Sequence, residues 1–151
     1  METMDISLDW LLENLRDRTP GVRHVLVLSR DGLKMCHTHE LHVDRADQLA
    51  AISAGIQSLS LSASAEFGDG GGAGQAMVEF GGGVLLIIGA GEGAHLAVVT
   101  THDADVGVVG HNMNELVERI GGFLTAAPRR IGLPGAGGWA ERAGTGAEPT
   151  R

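Results

Sequence analysis

His37, His39 and His42 lie close together, with Glu40 and Asp44 beside them. Alternate positions on a strand put His37 and His39 on one face, so both could reach one metal ion. Zinc needs three or four rigidly held ligands. No Cys-x-x-Cys or His-Glu-x-x-His pattern supplies the rest, and Cys36 points to the opposite strand face. The expectation is a solvated strand end with no metal site. As a nucleophile Cys36 would want an electropositive, partly exposed setting, whereas a mid-strand position suits an inert small apolar group. Ser29 and the serines of the following helical segment have no base positioned beside them. Gly68–Gly74 invites a phosphate-binding reading, but a P-loop needs Gly-Lys-Ser/Thr opening a helix. No lysine follows here, and a dinucleotide-binding loop runs from strand to helix, the reverse of this order. Asp103 and Asp105 could form a carboxylate pair, yet their place at a helix start favours capping. His95, His102 and His111 are scattered, and Trp10 and Trp139 are isolated. No catalytic residue, no cofactor and no enzymatic activity are therefore expected.

The composition excludes further classes. The chain has 151 residues and a formal net charge of -8, with 43% hydrophobic and 3% aromatic residues. That charge does not attract a phosphate backbone or an anionic membrane. The largest basic run beyond scattered positions is Arg129-Arg130, too short for a nucleic-acid surface. With no tyrosine, the core must be built from Leu, Val, Ile and Ala. A lone cysteine cannot close an internal disulfide, which suits a reducing compartment. The acidic start, Met1-Glu2-Thr3-Met4-Asp5, has no basic and apolar leader pattern, and no apolar run is long enough to span a membrane. A cytoplasmic location without direct membrane insertion is expected.

The elements that would position these residues follow from periodicity. Leu8, Leu11, Leu12 and Leu15 recur at helical spacing, with Ser7 or Asp5 as a cap and Pro20-Gly21 as a stop. Residues 1–6 read as an extension before the domain. Val22–Ser29 and Leu33–Thr38 flank Arg30-Asp31-Gly32, a hairpin signal. Asp44–Phe67 is helical, with Leu49, Ile52, Ile56, Leu59, Ala63 and Phe67 expected to face the core. Strands follow at Gln75–Phe80, Val84–Ile88 and Ala94–Thr100, separated by glycine-rich turns. A last helix starts near Asp103 or Asp105, carries a core stripe of Val106, Val109, Met113, Leu116, Val117, Ile120 and Leu124, and ends at Pro128. Residues 7–127 form the domain, and residues 128–151 read as a disordered tail. The order α-β-β-α-β-β-β-α makes an α+β fold with a five-stranded antiparallel sheet.

From Gln48 to Ala65 no residue is charged. If the apolar stripe faces the sheet, Ala50, Ala54, Leu61 and Ala65 point away, with Gln57 and Ser58 beside them. A helix face without charge is usually covered. The expected cover is a second copy in a two-fold dimer.

Leu8-Asp9-Trp10-Leu11-Leu12, Pro20-Gly21-Val22-Arg23-His24 and Ser29-Arg30-Asp31-Gly32-Leu33, with Asp47-Gln48-Leu49-Ala50-Ala51, the glycine-rich meander, Asp103-Ala104-Asp105-Val106-Gly107 and Ala126-Ala127-Pro128-Arg129, resemble the roadblock (dynein light-chain) family over about residues 7–130. The pattern looks most like the bacterial conservon subgroup. The resemblance implies a roadblock/profilin-like fold, with the second helix on one face of the sheet and the terminal helices on the other. It implies a homodimer through that helix and the edge strand at Gln75–Phe80, where Met77 lies. It further implies binding and regulation of a Ras-like small GTPase, as activator or scaffold, in signalling complexes with a sensor-kinase-like protein. An arginine finger would serve direct activation, but no family motif marks one here. The alternative is a small-molecule or metal sensor using the His37–His42 region or the Gly68–Gly74 loop.

Overall fold

Leu8, Leu11, Leu12 and Leu15 form the buried face of α1 (Glu2–Arg18). The computed structural model describes residues 2–72 and 74–121, with side chains from residue 8 onward. The helix begins at Glu2, ahead of the Ser7 or Asp5 cap read from sequence. The chain between Glu2 and Ser7 contains no glycine or proline to stop it, so α1 runs back through residues 2–6. The helix ends at Thr19-Pro20-Gly21, where Val22 N–H closes a turn on the Thr19 carbonyl at 3.2 Å.

β1 (Val22–Ser29) and β2 (Lys34–His37) form the expected hairpin, its turn closed by Gly32 at φ +89°. β2 stops at His37 because Thr38 turns inward. Its hydroxyl accepts the Val25 N–H at 3.2 Å in a fully buried position. α2 (Val43–Phe67) starts on His42, whose Nδ1 accepts the Asp44 N–H. β3 (Ala76–Phe80), β4 (Gly83–Gly89) and β5 (Ala94–Thr101) then form a meander. α3 runs from residue 106 to residue 121, the last described. Asp105 caps it by accepting the N–H groups of Gly107 and Val108 at 3.0 and 3.3 Å. The expected Leu124 and Pro128, Trp139 and the tail from residue 128 lie outside the described residues.

The five strands lie in the order β2-β1-β5-β4-β3, every neighbouring pair antiparallel. Alternation sorts their side chains between two cores. Val25, Val27, Ile88, Leu96 and Val98 meet α1 and α3, where Leu12, Leu15, Val109, Met113 and Ile120 are sealed from solvent. Leu26, Leu28, Leu85, Ile87 and Ala97 meet α2 through Ala46, Leu49 and Ala50. Val106, expected in the α3 stripe, is exposed at the rim of an open pocket it lines with Met77, Leu86 and Ile88; Val117 is only partly buried. Among the described residues no helix is long and apolar enough to cross a membrane.

Candidate interaction surface

The residues with chemical potential are drawn apart by the fold. Ending β2 at His37 takes His39 off the strand, so His37 and His39 do not share a strand face. His37 Nδ1 bonds the Thr38 carbonyl at 2.9 Å. His39 turns to α1, its N–H on Glu13 Oε2 at 2.6 Å and its ring within 3.7 Å of Asp9. His42 caps α2. Among the described residues no three His, Cys, Asp or Glu are grouped to hold a metal ion. Cys36 lies in the α1-side core with its thiol donating to Asp9 Oδ1 at 2.6 Å. The Gly68–Gly74 loop folds back on α2, Gly68 and Gly70 N–H both reaching the Ser64 carbonyl. Asp103 accepts the Thr101 hydroxyl at 2.7 Å, and that bond holds its carboxyl below the usual range. Asp105 is the cap described above, so the two carboxylates serve separate turns.

α2 is where the structure departs most from the sequence reading. Ala46, Leu49, Ala50, Ser53 and Gln57 face the sheet. Ala50 and Gln57, expected on an outward interface, are 0% and 4% exposed; they are not available to a partner. Ile52, Leu59 and Phe67, expected in the core, are 53%, 72% and 91% exposed. At about 100° per residue, the helix is rotated so that its true sheet-facing sector lies between the two faces read from sequence. The small side chains explain the choice. Ala46 and Ala50 let the helix sit close on Leu26, Leu28 and Ala97, and a Cβ on the hairpin's Gly32 would lie 3.3 Å from the Ala54 Cβ. Isoleucine and leucine at those positions would hold the helix off the sheet and the hairpin turn.

Gln57 is fixed by its side-chain nitrogen, which donates to the Gly74 carbonyl at 3.3 Å and faces His95 Nδ1 at 3.4 Å. Burial, with the nearby Arg30 charge, pushes the His95 pKa down.

Two flanks of α2 therefore remain exposed. One carries Ala54, Ser58, Leu61 and Ala65, of which Ala54 is half-buried. The other carries Ile52, Ile56 and Leu59 and borders a groove of about 300 Å³ floored by Leu85 and Val99. Val78 and Phe80 of β3 form its far wall, while Arg23, His24 and Arg45 stand at one end. Burial and the two arginine charges push the His24 pKa down. β3 is the sheet's edge strand, and Met77, Val78 and Phe80 are all exposed on it. Its free backbone edge carries neither lysine nor proline to block pairing. Of the groove residues, the sequence reading names Leu49, Ile52 and Ile56 only as an apolar stripe expected to face the core, because helical periodicity does not say which side of a helix meets the sheet.

A Roadblock/LC7 domain model matches residues 8–100. A Roadblock/LC7 domain structure from Streptomyces avermitilis is 39% identical, covering 78% of this chain and 97% of its own, with a TM-score of 0.74. An MglB solved in a tetrameric arrangement is 21% identical over 78% of this chain and 88% of its own, with a TM-score of 0.70. Acanthamoeba castellanii profilin IA shares the fold at 14% identity, over 76% of this chain and 96% of its own, with a TM-score of 0.52. No curated protein sequence matches. The family model runs from the first buried leucine of α1 into β5, and with the S. avermitilis likeness it shows that this chain belongs to the Roadblock/LC7 domain family.

Proposed function

We propose that this chain is a dimeric, non-enzymatic regulatory module that binds a Ras-like small GTPase in the cytoplasm and joins it to a sensor-kinase-like partner. The observation that carries the reading is the continuous exposed apolar surface of α2 and β3. Isolated apolar residues on a surface are ordinary, but a contiguous patch marks an interaction site. Ile52, Leu59, Val78 and Phe80 supply it, next to the edge of the sheet. Covering Ile52 and Leu59 contributes about 1–2 kcal/mol each at these exposures. Met77, on the same edge strand, projects from the other sheet face beside Leu86, Ile88 and Val106 of the α3 side, so it joins a self-association face only through the strand edge. Ala54, Ser58, Leu61 and Ala65, on the opposite flank, form the second part of the docking surface. The family resemblance supports the GTPase as partner, and the MglB neighbour with a tetrameric arrangement supports self-association.

Two measurements test the reading. Sedimentation should give a dimer at micromolar concentration, and Ile52→Glu should give a folded monomer. GTP hydrolysis by the cognate GTPase, timed with and without the protein, separates activation from scaffolding. A chain that neither self-associates nor binds a Ras-like GTPase would sink the proposal.

A further inference from the structure

The end of β1 and the start of β5 lie side by side beneath the middle of α2. Leu28 pairs with His95 and Ser29 with Ala94, and the Arg30 N–H carries the pairing on to the Gly93 carbonyl at 2.9 Å. Leu28 belongs to the α2-side core, so the residue opposite it and the residue two places on share that side of the sheet. His95 and Arg30, with Ala54, Gln57, Ser58 and Leu61 of α2, line a pocket of about 430 Å³. Gly72 of the glycine-rich loop completes the lining. The pocket shares no residue with the groove beside β3.

Small-molecule sites combine apolar walls with a few converging polar groups, and this pocket has both. Arg30 is the one lining residue with a full charge, and it makes no ion pair among the described residues. Gln57 is nearly sealed from solvent, with its Nε2 committed to the Gly74 carbonyl. Its Oε1 has no hydrogen-bond partner among the described residues. A buried acceptor left without a donor is costly, and a donor arriving through the pocket removes that cost. His95 Nδ1 faces Gln57 Nε2 at 3.4 Å; accepting there leaves the neutral ring's proton on Nε2, as a further donor. Ala54 and Leu61 supply the apolar wall.

These groups specify a ligand. One unpaired guanidinium calls for one negative charge, and the planar fork of arginine matches a carboxylate. A chain of net charge -8 disfavours a polyanion. The Gln57 oxygen calls for a hydroxyl beside that carboxylate, because an ammonium there would stand against the Arg30 charge. We propose that this pocket binds a small α-hydroxycarboxylate with an apolar side chain, its carboxylate paired with Arg30, its hydroxyl donating to Gln57 Oε1 and its apolar part against Leu61. The pocket lies on the flank assigned above to a docked partner, so a bound acid changes the surface which that partner meets. The binding itself does not depend on that assignment.

The test is a heteronuclear NMR titration of the full chain with three probes of one shape: phenyllactate, phenylpropionate, which lacks the hydroxyl, and phenyllactamide, which lacks the charge. Phenyllactate should give saturable shifts at Arg30, Gln57, Gly72 and His95 with a Kd of about 1 mM or tighter, and each of the other probes should bind about tenfold more weakly. Arg30→Gln should keep the fold, read as unchanged shift dispersion, and bring the acid and the amide to equal affinity. Arg23→Gln, at the groove on the opposite flank, should leave all three affinities unchanged. Shifts that saturate around Arg23 and Arg45 instead, an acid that binds no better than the amide, a hydroxyl that adds nothing, or no saturable shift up to about 20 mM each overturn the proposal. Self-association and GTPase binding are decided separately, by the sedimentation and hydrolysis measurements above.

Discussion

Asn112 of α3 donates to the Thr19 hydroxyl at 2.8 Å, tying residues far apart in the chain inside a buried contact. Both partners are shielded from water, so removing one leaves the other without a replacement. Asn112→Ala should cost about 1–3 kcal/mol, read as a lower urea midpoint at unchanged slope; an unchanged midpoint would show that water reaches the site. Two histidines make stability depend on pH. His24 and His95 both have folded-state pKa values pushed below the ordinary 6.5, in each case chiefly by burial. The folded protein therefore resists protonation more than the unfolded chain does. Their contribution is fully present above about pH 6.5 and is lost as pH falls through 6.5 toward the depressed values. At His95 the reason is geometric as well: Nδ1 faces the Gln57 amide nitrogen, and a protonated ring would set donor against donor. Urea midpoints should fall between pH 7.5 and 5.5, and His95→Gln should flatten that fall. A midpoint that rises on acidification would contradict the assignment. The histidines that looked most chemical in sequence, His37, His39 and His42, instead serve a carbonyl bond, contacts to α1 and a helix cap.

At the level of elements, Gly21 joins α1 to the sheet. Its φ is +91°, its carbonyl accepts the Thr101 N–H at 2.8 Å, and an added Cβ would come within 2.5 Å of the Ala104 Cβ. Gly21→Ala combines an unfavourable backbone region with a contact that neither partner can relieve by rotating. It should cost about 2 kcal/mol or more, seen as a drop in thermal midpoint; a neutral outcome would mean that the α1–β1 join shifts freely. The hairpin at Arg30-Asp31-Gly32 and the α3 cap at Asp105 were legible because turn and cap chemistry is local. The length of β2 was not, because its end is set by the bond between Thr38 and Val25 across the hairpin. The rotation of α2 was not legible either. Its sequence offers an apolar sector and a small-residue sector, and both satisfy a helical period.

At the scale of the molecule, the described residues cover one sheet face densely and the other by half. α1 and α3 together close the first, while α2 alone crosses the second and leaves the groove beside β3 open. If a second copy fills that opening, folding and association are linked, and the thermal midpoint should rise with protein concentration. The same midpoint should be independent of concentration for Ile52→Glu. A wild-type midpoint that does not move over a hundredfold dilution would mean that the open face is not closed by self-association in that range. The sequence alone determined the element order, the antiparallel hairpin, the leucine face of α1 and most of the buried face of α3. Each of these follows from local periodicity, turn residues or spacing. Which side of α2 meets the sheet, and so which apolar residues are left for a partner, was decided only in the tertiary structure. The reason is packing distance: Ala46, Ala50 and Ser53 can approach Leu26, Leu28 and Ala97 closely, and the larger Ile52, Ile56 and Leu59 are turned aside to make room.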